Sequence, residues 1–122
     1  MTTKGGSERH VLVAVPDLFF ATRIAEAARA LGIAIEACDP FALAARMSAA
    51  QPALAIVDLH AAGVLDAVRA ARADPACADL PVVGFYSHVD RSLAEAAREA
   101  GVTQVLARSA FTARLAAILR GE

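Results

Sequence analysis

Apolar residues in this chain follow two alternating arrangements: short unbroken runs, and longer stretches in which they return every three or four positions. The runs fit strands buried on both faces, and the stretches fit amphipathic helices. Residues 11–15 form the first run, which ends at Pro16. Asp17 can then cap a helix with Phe20, Ile24, Ala27, Ala28 and Leu31 on one face, closed by Gly32. Residues 33–37 are the second strand. Asp39-Pro40 serves as N-cap and first helical residue, and Leu43 and Met47 form the buried stripe. Pro52 introduces a third strand over 53–59. A looser helix follows, with Val64, Leu65 and Val68 inward and Arg69 and Arg72 outward. Residues 74–79 hold a proline and read as loop. Residues 81–86 are the fourth strand, and Asp90 caps a helix with Leu93, Ala96, Ala97 and Ala100 on one face before Gly101. Residues 102–107 are the fifth strand. Ser109 caps a last helix carrying Phe111, Leu115, Ile118 and Leu119, ended by Gly121.

Apolar strands alternating with amphipathic helices predict an α/β fold, a parallel sheet covered on both faces. Right-handed crossovers leave few topologies, and five strands in so short a chain favour the doubly wound, flavodoxin-like order 2-1-3-4-5. The whole of 10–122 reads as one domain, preceded by a flexible tail over 1–9. No linker or internal repeat interrupts it.

Composition narrows the function. At 57% hydrophobic, the 122-residue chain can fill one core, and disorder is confined to its ends. With aromatics at 5%, that core must be built from Ala, Val, Leu and Ile. A net charge of −1 leaves no electrostatic footprint for nucleic acid or an anionic membrane. No run approaches the roughly 18 apolar residues of a membrane span, and the polar N-terminus lacks a signal core. A soluble cytoplasmic protein is expected, with Cys38 and Cys77 as free thiols because their spacing fits neither metal nor redox motifs. Lys4-Gly5-Gly6-Ser7 precedes the first strand, so it lacks the strand-turn-helix context of a phosphate loop.

In open α/β sheets, chemistry sits in the crevice beyond the C-terminal strand ends. Here those ends deliver Val15, Pro16 and Asp17 from strand one, and Asp58 and His60 from strand three. Strand four delivers Tyr86, Ser87, His88 and Asp90; strand five delivers Arg108 and Ser109. Asp58 would stand mid-crevice, paired with Arg108 or capping backbone amides. His60 and His88 lack the spacing of a zinc motif and read as loop histidines. Of Phe19 and Phe20, one is expected in the core and the other partly exposed.

These stretches carry a resemblance. Residues 11–17 (VLVAVPD), 53–59 (ALAIVDL), 81–87 (PVVGFYS) and 101–109 (GVTQVLARS) resemble the receiver domain of bacterial response regulators, over nearly the whole chain. The resemblance implies that Asp58 matches the aspartate that accepts a phosphoryl group from a histidine kinase. It also implies an acidic pair at the end of strand one that holds Mg²⁺, but Val15 and Pro16 stand there. Asp17 lies one residue further on; it would join Asp58 as a metal ligand only after a register slip. Tyr86 replaces the family's Ser or Thr at the end of strand four, with Ser87 next to it. Arg108 replaces the strand-five lysine, Ser109 the following proline, and Val105 the aromatic. Without a cation, phosphoryl transfer to a carboxylate loses its main charge neutraliser.

The expectation is therefore a degenerate receiver, or pseudo-receiver: a signalling module and not an enzyme, without cofactor, acting through a protein partner. The alternative is an atypical receiver, with Mg²⁺, that accepts phosphate on Asp58 from a histidine kinase. A small-molecule sensor is disfavoured, because residues 15–18 contain no glycine to cradle a phosphate. No output domain is expected after Glu122, and a homodimer is left open. Arg91, Arg98, Gln104 and Arg114 form a candidate interaction face. Interspersed Glu95 and Glu99 keep it from being a basic stripe for DNA.

Overall fold

A computed structural model describes residues 9–87 and 90–122. The tail over 1–8, with Lys4-Gly5-Gly6-Ser7, and His88 lie outside the described residues. Five strands form one parallel sheet: β1 (His10–Ala14), β2 (Ala34–Ala37), β3 (Leu54–Asp58), β4 (Val82–Tyr86) and β5 (Gln104–Ala107), in the order 2-1-3-4-5. This is the expected topology. β1, β3 and β4 are central and almost wholly buried, which is why their sequences are unbroken apolar runs. Val11 pairs with Leu54, Ala55 with Val82, and Asp58 with Phe85, so β3 ends level with the middle of the sheet's C-terminal edge.

Strand alternation divides the core in two. Leu12, Ala14, Ala55 and Val57 face one layer, made by α2 (Leu43–Ala50), α3 (Val64–Ala73) and α4 (Arg91–Ala100). Val11, Val13, Leu54 and Ile56 face the other, made by α1 (Leu18–Ala30), α5 (Arg108–Ala113) and α6 (Leu115–Arg120). Phe20, Phe85 and Phe111 meet in this second layer, with ring centroids 4.9 to 5.9 Å apart. Mid-strand Gly84 admits the Leu59 side chain so closely that a Cβ there would lie 2.5 Å from Leu59 Cδ2.

Several local expectations change. α5 begins directly where β5 ends, so Ala107 occupies the cap position without a side-chain bond and Ser109 falls inside the first turn. The last helix breaks at Arg114, whose N–H is shared between the carbonyls of Ala110 and Phe111. Within 74–79, Asp74 caps a single 3₁₀ turn over Pro75–Cys77. Arg72 does not point outward. Its guanidinium folds back and donates to the carbonyls of Gly101, Cys77 and Ala78 and to Thr103 Oγ1, tying α3 to the turn before β5. At the chain's other end Arg9 Nε donates to the Leu119 carbonyl at 2.7 Å. Among the described residues no helix is long and apolar enough to cross a membrane.

Candidate functional site

The C-terminal ends of β1, β2 and β3 share one local device. Asp17, after β1, caps α1: its Oδ1 accepts the N–H of Phe19 (3.0 Å) and of Phe20 (3.2 Å). Asp39, after β2, accepts the Phe41 N–H at 2.8 Å. Asp58, at the end of β3, accepts the His60 N–H at 2.9 Å. An aspartate in such a turn satisfies a donor that no strand or helix partner reaches. Of the two arrangements open for Asp58, its carboxylate takes the backbone amide.

Arg108 goes elsewhere. Its Nη2 lies 3.7 Å from Asp17 Oδ2, and its guanidinium carbon sits 4.0 Å from the centroid of the Phe20 ring. The Asp58–Arg108 pair left open by the sequence is therefore replaced by an Asp17–Arg108–Phe20 arrangement. The physical cause is the aromatic cluster. A weakly hydrated planar cation is drawn to a ring face, and Asp17 supplies the counter-charge beside it. Asp17 thus has two duties, one oxygen capping α1 and the other facing Arg108.

Tyr86 ends β4 in register with Ala107, and its half-buried side chain packs against the α2–α3–α4 layer. The exposed Ser87 donates its N–H to His60 Nε2 at 3.3 Å. Tyr86, Asp90, Arg91, Glu95 and Arg98 line a shallow depression on α4. Gln104, the first residue of β5, belongs instead to a cavity of about 350 Å³ at the opposite edge, with Arg9, Thr103 and Gly121. Arg114 is exposed at the α5–α6 break. Of the four residues of the candidate interaction face, Arg91 and Arg98 thus line one depression together, while Gln104 and Arg114 lie outside it.

Receiver-type Mg²⁺ binding calls for side-chain oxygens at the end of β1. Val15 is buried and apolar, Pro16 offers no side-chain oxygen, and no group of three His, Cys, Asp or Glu side chains fit to hold a metal occurs among the described residues. Mg²⁺ needs near-octahedral oxygen ligation, usually with one or two carboxylates plus phosphate and water. Val15 and Pro16 supply no side-chain oxygen for it, so the receiver-type acidic pair at the end of β1 has no counterpart at those positions.

Of the phenylalanine pair, Phe20 is buried and Phe19 is 88% exposed. Sequence reasoning missed Arg108's aromatic seat, Arg72, and the exposure of Leu18 and Phe41. A usable signal was the recurrence of Asp-x-Phe after the first two strands, at Asp17-Leu18-Phe19 and Asp39-Pro40-Phe41. Away from the crevice, Glu36 binds Arg46 and His10, and its hydrogen bond to Arg46 holds its carboxyl below the ordinary value of 4.5. Burial pushes the Cys38 and Cys77 thiols up.

The strand order and the two helical layers make the CheY-like, flavodoxin-like fold that response-regulator receivers share. Solved structures with this fold include a response regulator from Hahella chejuensis, 22% identical over 93% of each chain with a TM-score of 0.81. The chemotaxis response regulator CheY4 of Vibrio cholerae matches at 14% identity and a TM-score of 0.81, over 94% of this chain and 98% of its own. The phosphorylated cyanobacterial phytochrome response regulator RcpA matches at 16% identity and 0.76, over 94% and 91%. No family model and no curated protein sequence matches the chain.

Proposed function

We propose that this chain is a pseudo-receiver of the response-regulator family: a cytoplasmic signalling module that works by binding a protein partner, without Mg²⁺-dependent phosphorylation of Asp58. The observation that carries this reading is the seat of Arg108. The cation at the end of β5 is held by Asp17 and Phe20, not by Asp58. Two further features support it. Val15 and Pro16 stand where the family's metal-binding pair would be, and the Tyr86 side chain packs into the α2–α3–α4 layer. A carboxylate without a nearby cation is a poor phosphoryl acceptor, because the charge on the transferred group stays uncompensated. In this reading the chain is not an enzyme and its function lies in surfaces.

The test is incubation with Mg²⁺ and acetyl phosphate or beryllofluoride, read by intact mass. The expected result is an unmodified chain. Stoichiometric modification at Asp58, lost in Asp58→Asn, overturns the reading.

One observation favours the second reading, an atypical receiver that accepts phosphate from a histidine kinase. Asp58 is only half-buried, and among the described residues its Oδ2 accepts no hydrogen bond. Mg²⁺ binding in the millimolar range, abolished by changing Asp58, separates the two.

A further inference from the structure

The aspartate turns leave large apolar side chains in solvent. Phe19 is 88% exposed, Leu18 81% and Phe41 75%; these are the exposed large hydrophobic residues among those described. None belongs to either core cluster. All lie just beyond the C-terminal ends of the neighbouring strands β1 and β2. The Phe41 ring also reaches Gly63, so close that a Cβ there would clash with Cε1, and it bridges the N-terminal ends of α2 and α3. Leu18 and Phe19 open α1 in one layer and Phe41 precedes α2 in the other, so these exposed side chains flank the same end of the sheet, and exposed large apolar side chains mark contact sites. Here each phenylalanine is held by the backbone bond to the aspartate two residues before it.

The charge of this edge is acidic. Asp17 is balanced by Arg108, whereas Asp39 and Asp58 have no ion-pair partner among the described residues. We propose that the edge bearing Leu18, Phe19 and Phe41 docks a protein segment that places Lys or Arg beside apolar anchors. This rests on the partner-binding reading above and adds where the partner sits and what it presents. The anchors would cover the exposed side chains, and its cations would neutralise Asp39 and Asp58 or lie over the phenylalanine faces. An anionic lipid surface would meet these carboxylates with like charge. A second copy related by a two-fold axis would set the acidic edge against itself.

The probe is a synthetic Lys/Leu amphipathic peptide, titrated against the ¹⁵N-labelled full chain, with Glu/Leu and Lys/Ser peptides of equal length as controls. The Lys/Leu peptide is expected to shift the amides of Leu18, Phe19 and Phe41, and the controls much less. Affinity should fall about tenfold in a Phe19→Ser/Phe41→Ser variant, as for loss of interface anchors. It should fall roughly threefold in Asp39→Asn, which keeps the turn acceptor and removes only the charge. A circular-dichroism melt verifies that both variants are folded. Equal binding of the Glu/Leu peptide, shifts mapping to α4 instead, or unchanged affinity in the double variant overturns the proposal. So does a dimer of the free chain, or binding to anionic vesicles, that the double variant abolishes, since either assigns the edge to another occupant. Failure here leaves phosphorylation-independence standing, and labelling of Asp58 by acetyl phosphate leaves the docking edge standing.

Discussion

The guanidinium of Arg108 lies 3.7 Å from Asp17 Oδ2 and 4.0 Å over the Phe20 ring. One side chain at the start of α5 thereby touches both the cap and the first buried aromatic of α1, and joins the two helices of one layer where they begin.

Arg108→Ala should therefore cost about 1 kcal/mol, most of it from lost packing on Phe20, because the ion pair is half-exposed and weak. Arg108→Lys should recover less than half, since an ammonium keeps the charge and loses the planar stacking. Asp17→Asn retains the helix cap and should cost a few tenths; Asp17→Ala loses the cap and should cost about 1 kcal/mol. Urea denaturation of the four variants checks the ranking.

Arg72 carries more. It serves three carbonyls and a hydroxyl, and Thr103 Oγ1 in turn accepts the Val82 N–H at the start of β4. Arg72→Ala strips partners from several backbone acceptors and should destabilise by about 2 kcal/mol. Arg72→Lys should rescue little, because a single ammonium cannot span acceptors on both turns. Hydrogen exchange at residues 101–103 should rise in both variants.

Gly84→Ala should cost about 1–3 kcal/mol through overpacking against Leu59. A second change, Leu59→Ala, should be partly offset in the Gly84→Ala background, because the added methyl fills part of the space it opens. A double-mutant cycle by chemical denaturation reads the coupling. Additive costs would mean that the backbone, and not Leu59, takes up the strain.

Acid should find a weak point at Glu36. Its carboxyl is held below the ordinary 4.5 by Arg46, so the folded state favours the charged form and the unfolded chain binds the proton first as pH falls. Stability from this group is complete above pH 4.5 and is lost as pH falls below it. Glu36→Gln should flatten the decline between neutral pH and pH 3. Denaturation midpoints across that range, wild type against variant, measure the difference.

Much of this architecture was legible in the residues themselves, and for a local reason. Unbroken apolar runs and periodicities of three to four positions belong to single elements, so the five strands and most of the buried stripes of α1 to α3 needed no long-range information; on α4 the buried residues are Ala94, Ala97 and Ala100, with the expected Leu93 and Ala96 only half-buried. Asp17, Asp39 and Asp90 could be read as caps because a cap bond spans only two or three residues. Crossover handedness then left the order 2-1-3-4-5. The start and the break of the last helix were not legible: α5 follows β5 without a connecting residue, and the break at Arg114 carries no glycine or proline.

Tertiary structure alone decided which partners the charges took. Asp17 and Asp58 end neighbouring strands, and an arginine entering from β5 can be assigned to either carboxylate on paper. The choice fell to Asp17 because Phe20, Phe85 and Phe111, drawn from three distant elements, meet beside it and offer the guanidinium a ring face. Arg72 likewise turned inward because the carbonyl of Gly101, 29 residues away, came within its reach. Such contacts depend on ångström-scale heights and angles between packed elements, and those are set only when the two layers close on the sheet.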